Sequence, residues 1–130
     1  MKLPLLDQLV PLHRGEAFVV AHAIGRYLAE AISRPDYAQK LYWQEALALT
    51  PLELLRRRLL RRHESESWQA LRPGRAARPR LLRVPYAELV ALREFQTSLQ
   101  SIVGGEQLPA VLGKFHQKSL NLERFIKFSG

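Results

Sequence analysis

The sequence predicts an all-α fold, a bundle of four to six helices in a single domain spanning residues 1–130. Apolar residues recur at helical spacing through most of the chain, no segment repeats at a fixed period, and no strand–helix alternation indicates a parallel sheet. With 47% hydrophobic and 25% charged residues, the composition is typical of a globular domain with a core of its own. One long basic loop, residues 72–80, is predicted to join the two halves of the bundle.

The first helix is predicted over residues 16–33, where apolar positions three and four residues apart form one stripe. The members of this stripe are Val20, Ile24, Tyr27, Leu28 and Ala31. Arg26 and Glu30 fall on the opposite side. Pro35 is predicted to end the helix, because the residue before a proline is disfavoured in helical conformation. A second helix then runs from Asp36 to about Leu49.

A third helix is predicted to start at Pro51. Thr50 and Glu53 have the spacing of a capping box, and proline is favoured at the first helical position. Its apolar face consists of Leu52, Leu55 and Leu59. This helix is expected to fade between residues 63 and 68, where Ser65 and Ser67 weaken it.

The last third of the chain predicts one short extended segment and two more helical segments. Residues 81–84 are extended, and a helix starts at Pro85 and ends before Gly104-Gly105. The apolar stripe of that helix consists of Leu89, Leu92, Phe95, Leu99 and Ile102. The final segment opens near Pro109 with Val111, Leu112 and Phe115 as its first core residues, and Gly113 and Ser119 are the points where it could divide in two.

Positive charge is concentrated in one segment of the chain. Residues 56–83 hold ten arginines, opposed only by Glu64 and Glu66, and therefore carry the whole formal charge of +8. The remaining 102 residues hold ten basic and ten acidic side chains. Because such self-repulsion is unfavourable without an anionic partner, the segment is predicted to contact a polyanion.

Two groups of arginines are predicted to make this contact. The first follows the i, i+1, i+4, i+5 spacing opposite the leucine stripe: Arg57, Arg58, Arg61 and Arg62. The second lies in the basic loop: Arg72, Arg75, Arg78 and Arg80. Arginine is the planar, bidentate donor that suits phosphate. Because the first group faces away from the core, alanine at all four positions is predicted to leave the fold intact.

The sequence shows no catalytic or metal-binding motif. Cysteine is absent, which excludes disulfides, thiolate nucleophiles and cysteine-ligated zinc. The four histidines lack the i, i+4 spacing of a helical metal pair, and Gly104-Gly105 lacks the flanking residues of a phosphate loop. We therefore expect a protein that is not an enzyme and uses no metal or cofactor.

A single-stranded nucleic acid is the anion that the pattern favours. Trp43 and Trp68 can stack against bases beside the arginines, whereas Tyr42 and Tyr86 are expected in the core. The helix over residues 51–62 presents leucine and arginine almost exclusively, which favours sequence-nonspecific phosphate contact over base reading. The same helix lacks the bulky aromatic face of a membrane-surface helix.

Three segments also carry a family resemblance: the long helix around residues 19–28 (VVAHAIGRYL), the arginine cluster at residues 56–62 and the terminal residues 125–128 (FIKF). With the size and helicity of the chain, they resemble the small subunits of CRISPR effector complexes of the Cascade type. The resemblance implies a noncatalytic ribonucleoprotein subunit of antiviral defence that stacks with copies of itself and with other subunits. It also implies that both arginine groups contact a target or displaced DNA strand, or a guide RNA–DNA hybrid.

A second class of function stays open, a protein-interaction adaptor that docks an acidic partner through the same basic face. The salt dependence of binding separates the two classes, because counterion release from phosphates is steep in salt. The N-terminal apolar patch is too short and interrupted for a signal peptide, and no window of the sequence is apolar enough for a membrane span. A cytoplasmic protein is therefore expected.

Overall fold

The computed structural model describes residues 7–33, 43–69 and 79–129. The described elements, in chain order, are strand β1 (Gln8–Leu12), helix α1 (Glu16–Ser33), helix α2 (Trp43–Gln69), strand β2 (Arg80–Val84), helix α3 (Tyr86–Glu94), helix α4 (Gln96–Ile102) and helix α5 (Gln107–Ser129). This part of the chain is mostly helical, as predicted, but β1 and β2 form a small sheet, so the strictly all-α prediction is wrong. Among the described residues, no helix is long and apolar enough to cross a membrane.

The two strands pair antiparallel, with Leu12 opposite Arg80 and Pro11 opposite Leu81. Side chains alternate along β2, so that Leu82 and Val84 are buried while Leu81 and Arg83 are exposed. Proline has no N–H, so Pro11 occupies its place in β1 without donating a hydrogen bond to β2.

Helix α1 has the predicted bounds, and its predicted stripe is buried along its whole length. Helix α2 runs antiparallel to it: Gly15 contacts Glu66 near one end of the pair, and Gly25 lies beside Arg56 farther along. Leu52, Leu55 and Leu59 of α2 are fully buried in the shared core, as predicted. The same core includes Leu89 and Leu92 of α3, Leu99 of α4, and Leu108, Val111, Leu112 and Phe115 of α5.

The predicted helix start at Pro51 is wrong, because α2 continues through Thr50 and encloses the proline. An interior proline costs about 3 kcal/mol, since it removes one backbone hydrogen bond. Leu49 packs against the core before the proline and Leu52 is buried after it, so a continuous helix keeps both in the core. Glu53 caps nothing and instead accepts hydrogen bonds from arginines one turn later.

The predicted fading of this helix is also wrong, because α2 extends to Gln69. Near this end Glu66 is buried, and its Oε2 accepts a hydrogen bond of 3.0 Å from the N–H of Gly15. Gly15 has φ +87°, a left-handed conformation that glycine adopts without steric cost. The turn between β1 and α1 thus attaches to the end of α2.

The single helix predicted after Pro85 is divided. Helices α3 and α4 meet at Phe95, whose φ of −110° and ψ of 14° lie outside the helical region while its ring stays buried. Helix α4 ends before Gly105, which has φ +118°. Helix α5 is continuous, so neither Gly113 nor Ser119 divides it.

Candidate functional site

Helix α2 places its arginines at different angles around the buried leucine stripe. Successive residues of an α-helix are rotated by about 100°. Arg57 and Arg61 therefore point away from the stripe, whereas Arg58 and Arg62 are turned toward one flank of it. Arg58 and Arg62 contact other elements. The prediction that all four predicted arginines of this helix lie on the face opposite the leucine stripe is therefore wrong.

Arg56 and Arg57 share one carboxylate. The Nε and Nη2 of Arg56 donate to the two oxygens of Glu53, each at 2.8 Å, and the Nε of Arg57 donates to the Glu53 Oε1 at 3.1 Å. Hydrogen bonds from Arg56 and then Arg57 hold the pKa of Glu53 below its ordinary value, although burial opposes them. The first pair of arginines is thus partly neutralised within the helix.

Arg58 bridges α2 and α3. Its Nε and Nη2 donate to the two carboxylate oxygens of Glu88, each at 3.2 Å. The Glu88 side chain is only 5% exposed, whereas that of Arg58 is 41% exposed. A buried carboxylate needs such a partner, because an unpaired buried charge is costly. Arg58 therefore has a structural contact, and alanine at this position is no longer expected to leave the fold intact.

Arg62 joins α2 to β2. Its Nη2 donates to the carbonyl of Leu81. Its Nη1 is buried and has no hydrogen-bond partner. Burial, followed by the charge of Arg80, lowers the pKa of Arg62, although the charge of Glu66 opposes them. The guanidinium therefore links two elements and lies close to a second arginine.

Three further arginines of the same region are exposed: Arg61, Arg80 and Arg83. Within the described parts of the chain, none of the three forms a hydrogen bond or ion pair with a carboxylate. We call Arg61, Arg62, Arg80 and Arg83 the basic surface; it is built from the C-terminal half of α2 and the adjoining strand β2. Arg83 was not among the predicted contacts. The alternation of side chains along a short strand was the signal that could have identified Arg83 as exposed on its outer face.

Several predicted site residues lie outside the described residues. They are Arg72, Arg75 and Arg78. Tyr42 and the side chains of Trp43 and Trp68 also lie outside the described part of the chain. Tyr86 was expected in the core, but its side chain is exposed because it occupies the first turn of α3, where it faces away from the bundle.

One exposed aromatic residue was not among the predicted site residues. Phe18 of α1 is 45% exposed, and its ring centroid lies 4.9 Å from that of His63 and 5.9 Å from that of His22. Phe18 lies off the buried stripe of α1. A bulky aromatic residue in such a position was the sequence signal that could have identified Phe18 as exposed. Among the described residues, no group of three or more histidine or acidic side chains is arranged to hold a metal ion.

Comparisons with protein-family models, with curated proteins and with solved structures found no match.

Proposed function

We propose that this chain is a noncatalytic nucleic-acid-binding subunit of a ribonucleoprotein, and that it contacts the sugar–phosphate backbone through the basic surface. The observation that carries the proposal is the difference in pairing along α2. Arg56, Arg57 and Arg58 have carboxylate partners, whereas the basic surface has four guanidiniums and no carboxylate hydrogen-bonded to them among the described residues. Arginines that have no hydrogen bond to a carboxylate are suited to binding phosphates.

The geometry of Arg62 adds to this support. An anion near Arg62 and Arg80 would reduce the repulsion between the two guanidiniums. Arg72, Arg75 and Arg78 belong to the segment that precedes Arg80, so they extend the proposed contact along the chain. The contacts are expected to be sequence-nonspecific, because arginine contacts to phosphate carry no base information.

The specific form of the proposal is the small subunit of a Cascade-type CRISPR interference complex. It rests on the sequence resemblance alone, and the comparisons add nothing to it. In this form, the partner nucleic acid is a target or displaced DNA strand or a guide RNA–DNA hybrid. Other subunits and further copies of this chain complete the complex.

The test is the salt dependence of binding to a labelled single-stranded oligonucleotide, with a compact acidic protein as the competing ligand. Binding through several phosphates should make log affinity fall linearly with log salt, by about 0.7 per phosphate. A shallow slope, together with tighter binding to the acidic protein, would instead support the adaptor alternative.

A charge-matched pair of variants assigns the surface. Arg61→Gln with Arg83→Gln removes two exposed charges from the basic surface. Arg26→Gln with Lys118→Gln removes two charges from α1 and α5. We expect only the first pair to reduce the salt slope, by about 1.4. Equal losses in the two pairs would show diffuse attraction to a cationic protein and would reject the site.

A further inference from the structure

A surface groove in two parts follows the contact between α1 and α2. One part, of about 690 Å³, is lined by residues that include Leu28, Leu49, Leu54 and Arg57. The other part, of about 390 Å³, is lined by residues that include Phe18, His22, Arg26 and Leu60. Gly25 and Arg56 line both parts, so the two parts adjoin each other at these residues.

The groove combines exposed apolar side chains with a net positive charge. Phe18 is 45% exposed and Leu54 is 47% exposed. Arg26, Arg56 and Arg57 are among the lining residues, and Glu53 is the one acidic residue in the lining of both parts. The groove is therefore suited to a partner that is apolar on one side and acidic on the other.

The length of the groove matches that of a short helix. The lining residues of α1 extend from Phe18 to Ala29, a distance of about 16 Å at 1.5 Å per residue, or three helical turns. Gly25 has no side chain at the middle of this path, where a Cβ would lie 3.6 Å from Cδ of Arg56. A helix placed here would add a third member to the antiparallel pair, with its apolar residues at i, i+3, i+4 and i+7 in the groove.

We propose that this groove binds an amphipathic helix with an acidic polar face, supplied by a companion protein. The exposed rings and methyl groups would bury against its apolar face, and Arg26, Arg56 and Arg57 would lie beside its carboxylates. A second copy of this chain is a poor occupant of this groove, because a chain of formal charge +8 supplies little acidic surface to it. A nucleic acid is also a poor occupant, because Leu28, Leu49, Leu54 and Leu60 offer no hydrogen-bond partner to phosphates.

The test uses the full chain and a synthetic helical peptide of about 15 residues, with leucine on one face and glutamate on the other. A second peptide has the same leucines with lysine in place of glutamate. We expect the acidic peptide to bind at least about tenfold more tightly than the basic peptide, as measured by fluorescence anisotropy. Equal binding of the two peptides would overturn the charge complementarity on which the proposal depends.

Two double variants with matched exposure locate the binding site. Phe18→Ser with Leu54→Ser removes the apolar surface of the groove, and Leu9→Ser with Leu81→Ser removes two exposed leucines from the outer face of the sheet. We expect the first variant to bind the acidic peptide at least about tenfold more weakly and the second to bind it like the parent chain. Equal effects would place the peptide elsewhere and overturn the proposal.

Leu54→Ser with Arg26→Glu is the substitute if the Phe18 variant does not fold, because it leaves the Phe18–His63 contact in place, and it should also weaken binding by at least about tenfold. Sedimentation velocity of the parent chain provides a further check. Self-association that Phe18→Ser with Leu54→Ser abolishes would show that the groove binds a second copy, which would overturn the proposal. Oligonucleotide binding by the same variant should be unchanged, so this proposal and the proposed function can fail separately.

Discussion

The arginines of α2 form two groups, residues 56–58 and residues 61–62, which differ in what surrounds them. In the first group, Arg56 and Arg57 bind Glu53, and Arg58 binds Glu88 of α3. In the second group, Arg61 is exposed and Arg62 binds a carbonyl of β2. Within the described residues, no guanidinium of the second group or of β2 forms a hydrogen bond with a carboxylate.

The comparison shows why a count of charge along the sequence is a poor guide to free charge. Counting within residues 56–83 finds two acidic residues, whereas the acids that pair with the first three arginines are Glu53 and Glu88, outside that range. Glu66, which is inside the range, is buried and accepts a hydrogen bond from Gly15. The acids that matter are therefore found by helical spacing and by tertiary contact.

The largest expected effect is on stability, and it separates Arg58 from Arg61. Arg58→Ala leaves the buried carboxylate of Glu88 without its partner. Removing one member of a fully buried pair costs 3–5 kcal/mol, but the Arg58 side chain is 41% exposed, so we expect a loss of about 2 kcal/mol. Arg61→Ala should change the free energy of unfolding by less than about 0.5 kcal/mol. Urea denaturation of both variants measures the difference.

A third variant checks the mechanism behind that difference. Arg58→Met with Glu88→Leu replaces the ion pair by apolar side chains of similar volume, and it should recover most of the stability that Arg58→Ala loses. If Arg58→Ala and Arg61→Ala are equally mild, water satisfies Glu88, and the structural contrast between the two arginine groups of α2 does not hold in solution.

The next effect is on nucleic-acid affinity, where the second arginine group is expected to matter more than the first. Arg61→Gln with Arg83→Gln removes two unpaired charges and should weaken single-strand binding by about 25-fold near 0.1 M salt, from about 0.7 logarithmic units per phosphate. Arg57→Gln should weaken it by less than about threefold, because Glu53 already neutralises part of this charge. Anisotropy titrations of the three proteins at one salt concentration test the ranking. Equal losses per arginine would show that pairing does not determine which arginines bind.

A smaller expected effect is a gain in nucleic-acid affinity instead of a loss. Glu53→Gln releases Arg56 and Arg57 from their shared carboxylate and should tighten single-strand binding by about threefold, less than one full phosphate contact. Glu30→Gln removes the same charge from the exposed face of α1, and it should change the affinity less than Glu53→Gln does. If the two variants tighten binding equally, the gain comes from net charge and not from the released arginines.

The sequence predicts the helical part of this fold well where a buried stripe is long. The first helix has its predicted bounds, and the leucines of α2 are buried as expected, because a sustained 3.6-residue period determines which face is buried. The sheet was not predicted, since β1 has five residues, includes Pro11, and pairs with a strand some seventy positions later. Such a pairing is set by tertiary contact, which local pattern does not contain.

The candidate site was predictable in its location but not in its membership. Arg61, Arg62 and Arg80 belong both to the predicted contacts and to the basic surface, because clustering of charge is visible in the sequence. Arg58 required the knowledge that a buried carboxylate thirty residues later lies beside it. The position of Phe18 off the stripe is visible in the sequence, but its contact with His63 is not.

The smallest expected effect is the pH dependence of the Glu53 contribution to stability. Hydrogen bonds from Arg56 and Arg57 lower the pKa of Glu53 below the value of 4.5 expected in the unfolded chain. A carboxyl group whose pKa is lower in the folded state stabilises the fold fully above the unfolded pKa, and this stabilisation is lost as the pH falls through the folded pKa. The pair is partly exposed, so its contribution at pH 7 should be about 0.5 kcal/mol.

Glu53→Gln should accordingly be less stable than the parent chain at pH 7 by about this amount, and the difference should shrink as the pH falls below 4.5. Urea denaturation of the two proteins at a series of pH values measures it, with Glu30→Gln as the charge-matched control. A difference that stays constant with pH would show that Glu53 stabilises α2 by packing alone. Arg56 and Arg57 would then be as free to bind phosphate as Arg61, and the contrast between the two arginine groups of α2 would disappear.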